Sequence, residues 1–258
     1  MFIETHCHLD YLKAEPLEEI RKKIKEAGIT KVITIGVDPV NIDLVMDLSN
    51  AYEEIYFTQG IHPHDAKDAT DLEFEKIIAR ASMPKMVAVG EIGLDYHYNN
   101  SPAEVQRAAF ERQLQIACDH NLPVVIHTRE AEEDTKAILK NFSKSLKNKG
   151  VVHSFTSSLE LAEFVLSEGF YIGLNGIITF KKAENVQEVV KIAPADRILF
   201  ETDSPFLTPV PHRGKENAPY YLPFVAAKIA ELKNLNLEEL KKQVFHNSML
   251  CFPKLANE

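Results

Sequence analysis

The sequence predicts a (β/α)8 barrel, an α/β fold in which parallel strands alternate with helices. Two observations predict it. Short apolar runs alternate with longer helical patterns from end to end, and most runs are apolar at every position, as strands buried on both faces are. Eight such units in 258 residues also match the size of a (β/α)8 barrel. A doubly wound open sheet is the alternative arrangement.

The strands are expected, in order, at Phe2–Thr5, Lys31–Val37, Ile55–Gly60, Met86–Ile92, Val124–His127, Val151–His153, Tyr171–Leu174 and Ile198–Glu201. Each is rich in Val, Ile, Phe or Leu. Between them, helical patterns span Pro16–Ala27, Val40–Ala51, Asp71–Ser82, Pro102–Asn121, Glu130–Leu146, Leu159–Ser167 and Ala183–Ile192. Pro219–Lys233 and Leu237–Phe245 follow the last strand, and the polar run Asn247-Ser248-Met249 looks unorthodox for a helix. Ser204–Pro219 is expected to be an extended loop, because Pro205, Pro209, Pro211, Pro219 and Gly214 forbid regular structure. No linker, low-complexity tract or repeat interrupts 1–258, which predicts one domain.

Composition narrows the function classes. Hydrophobic residues make up 45%, ample for a full core, yet no window approaches the ~20 apolar residues of a membrane span. The N-terminus lacks a basic segment followed by a long apolar one, and Cys7, Cys118 and Cys251 are few and widely spaced. A cytoplasmic monomer with reduced thiols is the expectation. With 29 basic against 38 acidic residues the net charge is -9, poor for non-specific polyanion binding. A nucleic-acid substrate would need local contact, with bound metal offsetting repulsion. The runs Arg21-Lys22-Lys23 and Lys144–Lys149 read as solvated helix faces.

Residues that carry chemistry collect where the strands end. His6 and His8 close the first strand in Thr5-His6-Cys7-His8-Leu9-Asp10. Side chains two apart share a face, so both imidazoles can converge while Cys7 turns away into the packing. Glu91 ends the fourth strand, His127 the fifth and His153 the sixth, and Asp203 follows the eighth. Strand C-termini form the face on which barrel enzymes hold their sites. Taken singly, such a His is more often structural, and such an Asp or Glu often caps a helix. In register they make four imidazoles and two carboxylates, a ligand set for one or two divalent ions. A shared carboxylate would hold two ions about 3.5–4 Å apart. Glu91 is the expected bridge, with His6, His8 and Asp203 on one ion and His127 and His153 on the other. Water activated there would attack, and Asp203 could take its proton, which makes Asp203 and Glu91 the expected catalytic residues.

These segments, with Gly60-Ile61-His62-Pro63-His64, Gly90-Glu91-Ile92-Gly93-Leu94-Asp95-Tyr96, Pro123-Val124-Val125-Ile126-His127, His153-Ser154-Phe155, Glu201-Thr202-Asp203-Ser204-Pro205 and His212-Arg213-Gly214 with Asn217 and Pro219, resemble the TatD family of metal-dependent deoxyribonucleases. The family lies within the amidohydrolase-like barrel group, and the resemblance spans essentially the whole length. It implies a TIM-like barrel and two divalent metal ions on His6, His8, Glu91, His127, His153 and Asp203. It also implies hydrolysis of DNA phosphodiester bonds, commonly as a Mg2+-dependent exonuclease. Mg2+ or Mn2+ is the expected functional ion, although a His-rich set also accepts Zn2+ or Ni2+. One position departs from the family's pattern: Glu4 stands where Asp is usual. Strand alternation puts Glu4 on the face of His6 and His8, where it would support a ligand from behind, as Glu201 would.

Substrate contacts are expected from His62 and His64 after the third strand and from Arg129 after the fifth. His212, Arg213 and Asn217 are expected to add to them from the proline-rich loop. Asp95 could shape the site or cap a turn. His97 could line its mouth, and Arg107 reads as structural. Fold alone leaves a second reading open, a deacylase or amidohydrolase on the same scaffold. Many such enzymes bridge their metals with a carbamylated Lys on strand four. Glu91 stands there instead, which favours the nuclease-like branch. A non-catalytic binding protein is a third reading, disfavoured by the full ligand set.

Overall fold

The computed structural model describes residues 1–256. Eight strands, β1 (Phe2–Cys7), β2 (Ile29–Thr34), β3 (Ile55–Gln59), β4 (Met86–Asp95), β5 (Val124–Arg129), β6 (Gly150–Val152), β7 (Tyr171–Leu174) and β8 (Ile198–Phe200), form one sheet in sequence order. Each recorded ladder is parallel. Helices α1 (Leu17–Glu26), α2 (Asn41–Ala51), α3 (Asp71–Arg80), α4 (Ala103–His120), α5 (Glu132–Phe142), α6 (Leu159–Ser167), α7 (Glu184–Ile192) and α8 (Leu222–Lys233) follow the strands in turn. A ninth, α9 (Leu237–Cys251), closes the chain. This is the expected barrel, and among the described residues no helix is long and apolar enough to cross a membrane.

The core has two layers. Ile3, Ile33, Val87, Val125, Val151 and Leu199 pack inside the barrel, joined by Phe252 and Leu255 from the C-terminal segment. That segment covers the N-terminal end of the barrel, and each of its two anchors contributes roughly 1.5–3 kcal/mol by leaving water. The outer layer, between strands and helices, takes Phe57, Phe110, Leu114, Phe170 and Val225 among others.

β1 and β8 meet through individual bonds. Asp203 N–H donates to the His6 carbonyl at 2.9 Å and His8 N–H to the Ser204 carbonyl at 2.8 Å. The Thr5 hydroxyl donates to the Phe200 carbonyl at 2.8 Å. Glu4 completes the seam, its Oε1 accepting from the backbone N–H groups of His6 and Thr202, both at 3.0 Å. Burial pushes this carboxyl well above its ordinary range, against the hydrogen bonds from His6 and Thr202 that favour its charged form. The register of β1 on β2 slips between Glu4 and Cys7. As a result Ile3 lies in the inner layer and Cys7 in the outer one, although strict alternation would pair them. Glu4 therefore reaches backbone across the seam, where alternation had predicted an approach to the imidazoles.

Other boundaries move for physical reasons. β2 begins and ends earlier than expected, because past Thr34 the chain leaves the ladder, Ile35 bonding the Cys7 carbonyl and Gly36 that of Thr58. β4 runs to Asp95, with Gly93, Leu94 and Asp95 opposite His127, Thr128 and Arg129. Gly93 allows this close approach: a Cβ there would lie 2.0 Å from the His127 carbonyl oxygen. α5 stops at Phe142, so Lys144–Lys149 lies on turns and bends, not on a helix face. α9 continues six residues beyond Phe245 to Cys251. It can do so because Asn247 Nδ2 donates to the carbonyls of Ala195 and Ile198 at 2.8 and 2.9 Å, satisfying a buried amide. Cys7, Cys118 and Cys251 are all free thiols.

Candidate metal centre

The C-terminal ends of the strands surround a cavity of about 740 Å3, lined among others by His8, His62, Glu91, His127, His153 and Asp203. Parallel strands deliver these side chains to one face, and their polar atoms face one another in the interior. Glu91, at the centre, is 3% exposed, so its charge is maintained by its neighbours and not by water. Its two oxygens point in different directions. Oε2 faces His6 Nε2 at 3.4 Å. Oε1 faces His153 Nε2 at 2.7 Å, His127 Nδ1 at 3.1 Å and His62 Nε2 at 3.5 Å. Burial alone would raise this carboxyl, but the imidazoles, His153 and His62 foremost, hold it well below the usual carboxylate range.

Asp203 approaches from the other side, its Oδ1 3.6 Å from His8 Nε2 and 3.7 Å from His6 Nε2. His8, with His153 and His6 behind it, outweighs burial and keeps Asp203 ionised below its ordinary range. Ligand atoms of His6, His8 and Asp203 lie within 4.8 Å of one another, as do those of His62, Glu91 and His127, and of His6, His153 and Glu201. The rings of His6 and His153 stack at 3.8 Å and 7°. Burial lowers His6 to about 4, whereas Glu91 raises His153 to about 9, so the proton of this stacked pair sits on His153.

The donor set fits divalent ions. His6 Nε2, which faces both Glu91 and Asp203, is buried without a hydrogen-bond partner among the described residues. Uncompensated polar atoms in a dry interior are costly, and a cation among converging lone pairs offsets that cost. Carboxylates behind the rings set which nitrogen faces inward. Asp95 Oδ2 lies 3.0 Å from His127 Nε2 and so turns Nδ1 toward Glu91. Asp95 also holds His64 Nε2 at 3.1 Å, and its Oδ1 accepts from Tyr98 N–H at 2.9 Å, so it shapes the site and caps a turn at once. Glu201 takes Ser154 N–H at 2.6 Å and lies 3.8 Å from His153 Nδ1. It fits because β7 carries Gly173 opposite: a Cβ there would be 2.2 Å from Glu201 Oε2.

The model of the family described as TatD related DNase matches residues 3–253. A metal-dependent hydrolase of Bacillus subtilis is 40% identical over 98% of this chain and 99% of its own length. A protein of Erwinia tasmaniensis named 3'-5' ssDNA/RNA exonuclease TatD is 33% identical over 93% of this chain and 94% of its own. The crystal structure of the TatD homologue YjjV from Escherichia coli superposes with a TM-score of 0.91 at 31% identity, covering 98% of both chains. The chain belongs to the TatD family of metal-dependent hydrolases.

In this TatD-family barrel the expected site residues divide into three groups. His6, His8, Glu91, His127, His153 and Asp203 converge as described. His62, His64 and Arg129 line the cavity. His62 Nδ1 accepts from His64 N–H at 3.2 Å, and burial lowers the ring to about 4. The neutral ring therefore carries its proton on Nε2, facing Glu91, as a donor and not as a ligand. His212, Arg213 and Asn217 do not line the cavity. His212 stacks on Tyr221 at 4.4 Å, and the Arg213 guanidinium lies 4.0 Å from the centre of the Phe180 ring. Asn217 is buried behind the site. Its Nδ2 donates to the carbonyls of Thr202, at 2.8 Å, and Phe206, and its N–H donates to that of Pro205 at 3.0 Å, which fixes the turn carrying Asp203. Among these three, Asn217 is tied into the loop, while His212 and Arg213 pack on rings outside the cavity. His97 pairs with Glu130 at 2.7 Å away from the cavity, and Arg107 binds Asp134 at 3.1 Å.

Proposed function

We propose that this TatD-family hydrolase is a divalent-metal-dependent phosphodiesterase that removes nucleotides from DNA ends. One observation carries the reading: the two Glu91 oxygens face separate sets of imidazoles, as a carboxylate bridging two ions would. His6, His8 and Asp203 would share one ion with Glu91, and His127 and His153 the other. When bound, the ions supply Lewis-acid polarisation of the phosphate and lower the pKa of the attacking water.

The remaining steps belong to the protein. Asp203, with its side chain 13% exposed and its carboxyl held below the ordinary range, would accept the proton of water entering from the cavity. His62 can donate from Nε2 to a phosphate oxygen, and Arg129 can pair with one at the rim. Every candidate ligand comes from one chain, so a monomer suffices. The exonuclease name of the Erwinia relative supports a nucleic-acid substrate, and the charge of -9 suits local contact at an end.

End-labelled single- and double-stranded DNA, incubated with Mg2+, Mn2+, Zn2+ or EDTA, tests the proposal. Nucleotide release should need a divalent ion, and Asp203→Asn should slow it about 10^2–10^4-fold. Absence of metal-dependent cleavage on every strand would overturn the reading in favour of another ester or amide bond on the same scaffold.

A further inference from the structure

The mouth of the cavity carries two large aromatic side chains that the chemistry of the ligand set leaves unused. Phe206 is 52% exposed and Tyr98 is 55% exposed, yet both line the cavity. They sit at opposite ends of a row of rings. Phe206 contacts His8 with ring centres 6.1 Å apart, and His8 contacts His6 at 5.3 Å. His6 stacks on His153, which lies 5.7 Å from His127. His127 is 6.4 Å from His64, and His64 is 5.3 Å from Tyr98. The candidate metal centre thus lies between them, with one exposed aromatic beside each half of the ligand set.

Neither ring sits on a slack loop. Phe206 N–H donates to the Asp203 carbonyl at 2.9 Å, and the Phe206 carbonyl accepts from buried Asn217. Tyr98 N–H is held by Asp95. What sets these two apart from other exposed side chains is that each borders the cavity on a backbone held by the residues that build the site. Among the described residues Arg129 is the only Lys or Arg lining the cavity, and its guanidinium lies 4.8 Å from the centre of the Tyr98 ring. One cation cannot track a phosphate backbone, which leaves the faces of the bases as the larger surface for recognition of a strand.

We propose that Phe206 stacks an unpaired base on one side of the scissile phosphate, and that Tyr98 with Arg129 takes the nucleotide on the other side. The inference rests on the phosphodiesterase reading and goes beyond it. It makes unpaired bases, and not the backbone, the feature that is recognised, because inside a duplex both faces of a base are already stacked on its neighbours.

The test compares two single-stranded oligodeoxynucleotides of one length, one normal and one abasic at its terminal two residues. Metal-loaded wild type, Phe206→Ala, Phe206→Trp, Tyr98→Ala and Tyr98→Phe are assayed on both. Wild type should cleave the abasic strand about tenfold to a hundredfold less efficiently in kcat/KM, the range for losing base–aromatic stacking. Phe206→Ala and Tyr98→Ala should lose activity on the normal strand only, while Phe206→Trp and Tyr98→Phe retain it. Equal losses on both strands, or none, would overturn the stacking platforms and leave the phosphodiesterase standing. Failure of wild type to cleave either strand would remove both.

Discussion

The two halves of the ligand set are built differently. His127 and His153 stand at the end of a continuous ladder; His127 has the Asp95 carboxylate bonded to its outer nitrogen at 3.0 Å, and His153 Nδ1, without a hydrogen bond among the described residues, faces the Glu201 carboxylate at 3.8 Å. His6 and His8 stand at the seam where β1 and β8 meet without a ladder, and their Nδ1 atoms have no hydrogen-bond partner among the described residues. Ring packing orients them instead, His6 on His153 at 3.8 Å and His8 on Tyr11 at 5.2 Å. Carboxylate support fixes a ring's tautomer and raises its basicity, whereas packing fixes only its plane. The β4–β6 half should therefore load metal first and hold it more tightly, with the seam half as the exchangeable side. Only Glu91 belongs to both.

Glu91→Gln should have the largest effect, because it removes the one group that ties the halves together. Metal content, read by mass spectrometry of the purified protein, should fall at both half-sites. Hydrolysis should drop by about 10^4-fold or more, the scale seen when one member of a cooperating catalytic set is removed. Full metal loading in the Gln variant would mean that the halves are independent and that the bridge does not exist.

Asp95→Asn separates the halves. The amide oxygen can still accept from Tyr98 N–H, but the negative charge facing His127 and His64 is gone. Metal affinity of the β4–β6 half should weaken about 10–100-fold, with the seam half unchanged in a two-phase titration. Weakening of both phases alike would mean that Asp95 acts on the barrel as a whole.

The difference between the halves also marks how much the sequence could reveal. The convergence of His6, His8, Glu91, His127, His153 and Asp203 was legible because parallel strands read as apolar runs, and in a barrel their C-terminal ends must face one mouth. Legibility ended where local pattern stops deciding direction. Asp95 looked like a loop residue because a glycine inside an apolar run ordinarily weakens a strand, whereas Gly93 lets β4 pack against His127 and continue. The slip in β1 leaves no mark in composition, so alternation assigned Glu4 to the imidazoles. Asn217 and His212 lie in a segment without periodicity, where polarity reads equally as substrate contact or as loop scaffold.

Proton release gives a smaller, directional test. Glu91 holds His153 up to about 9, so without metal the ring is charged at pH 7. A cation can bind His153 only after that proton leaves, so affinity of the β4–β6 half should rise about tenfold per pH unit up to that value. Calorimetry of metal binding at pH 7, in buffers of different ionisation heat, should report release of at least one proton. No release would mean that His153 is already neutral and that the contrast with His6, held down to about 4, is absent.

Glu4→Asp should have the smallest effect and falls on the seam alone. The shorter side chain cannot span from His6 N–H to Thr202 N–H, both 3.0 Å from the same Glu4 oxygen. Losing one hydrogen bond costs about 1 kcal/mol, or about 2–4 °C in Tm for a chain of this size. Because those two N–H groups belong to His6 and to the residue before Asp203, both proposed ligands, the weaker metal phase should shift slightly while the β4–β6 phase stays in place. A shift confined to the β4–β6 phase would place Glu4 with the wrong half and reverse the comparison.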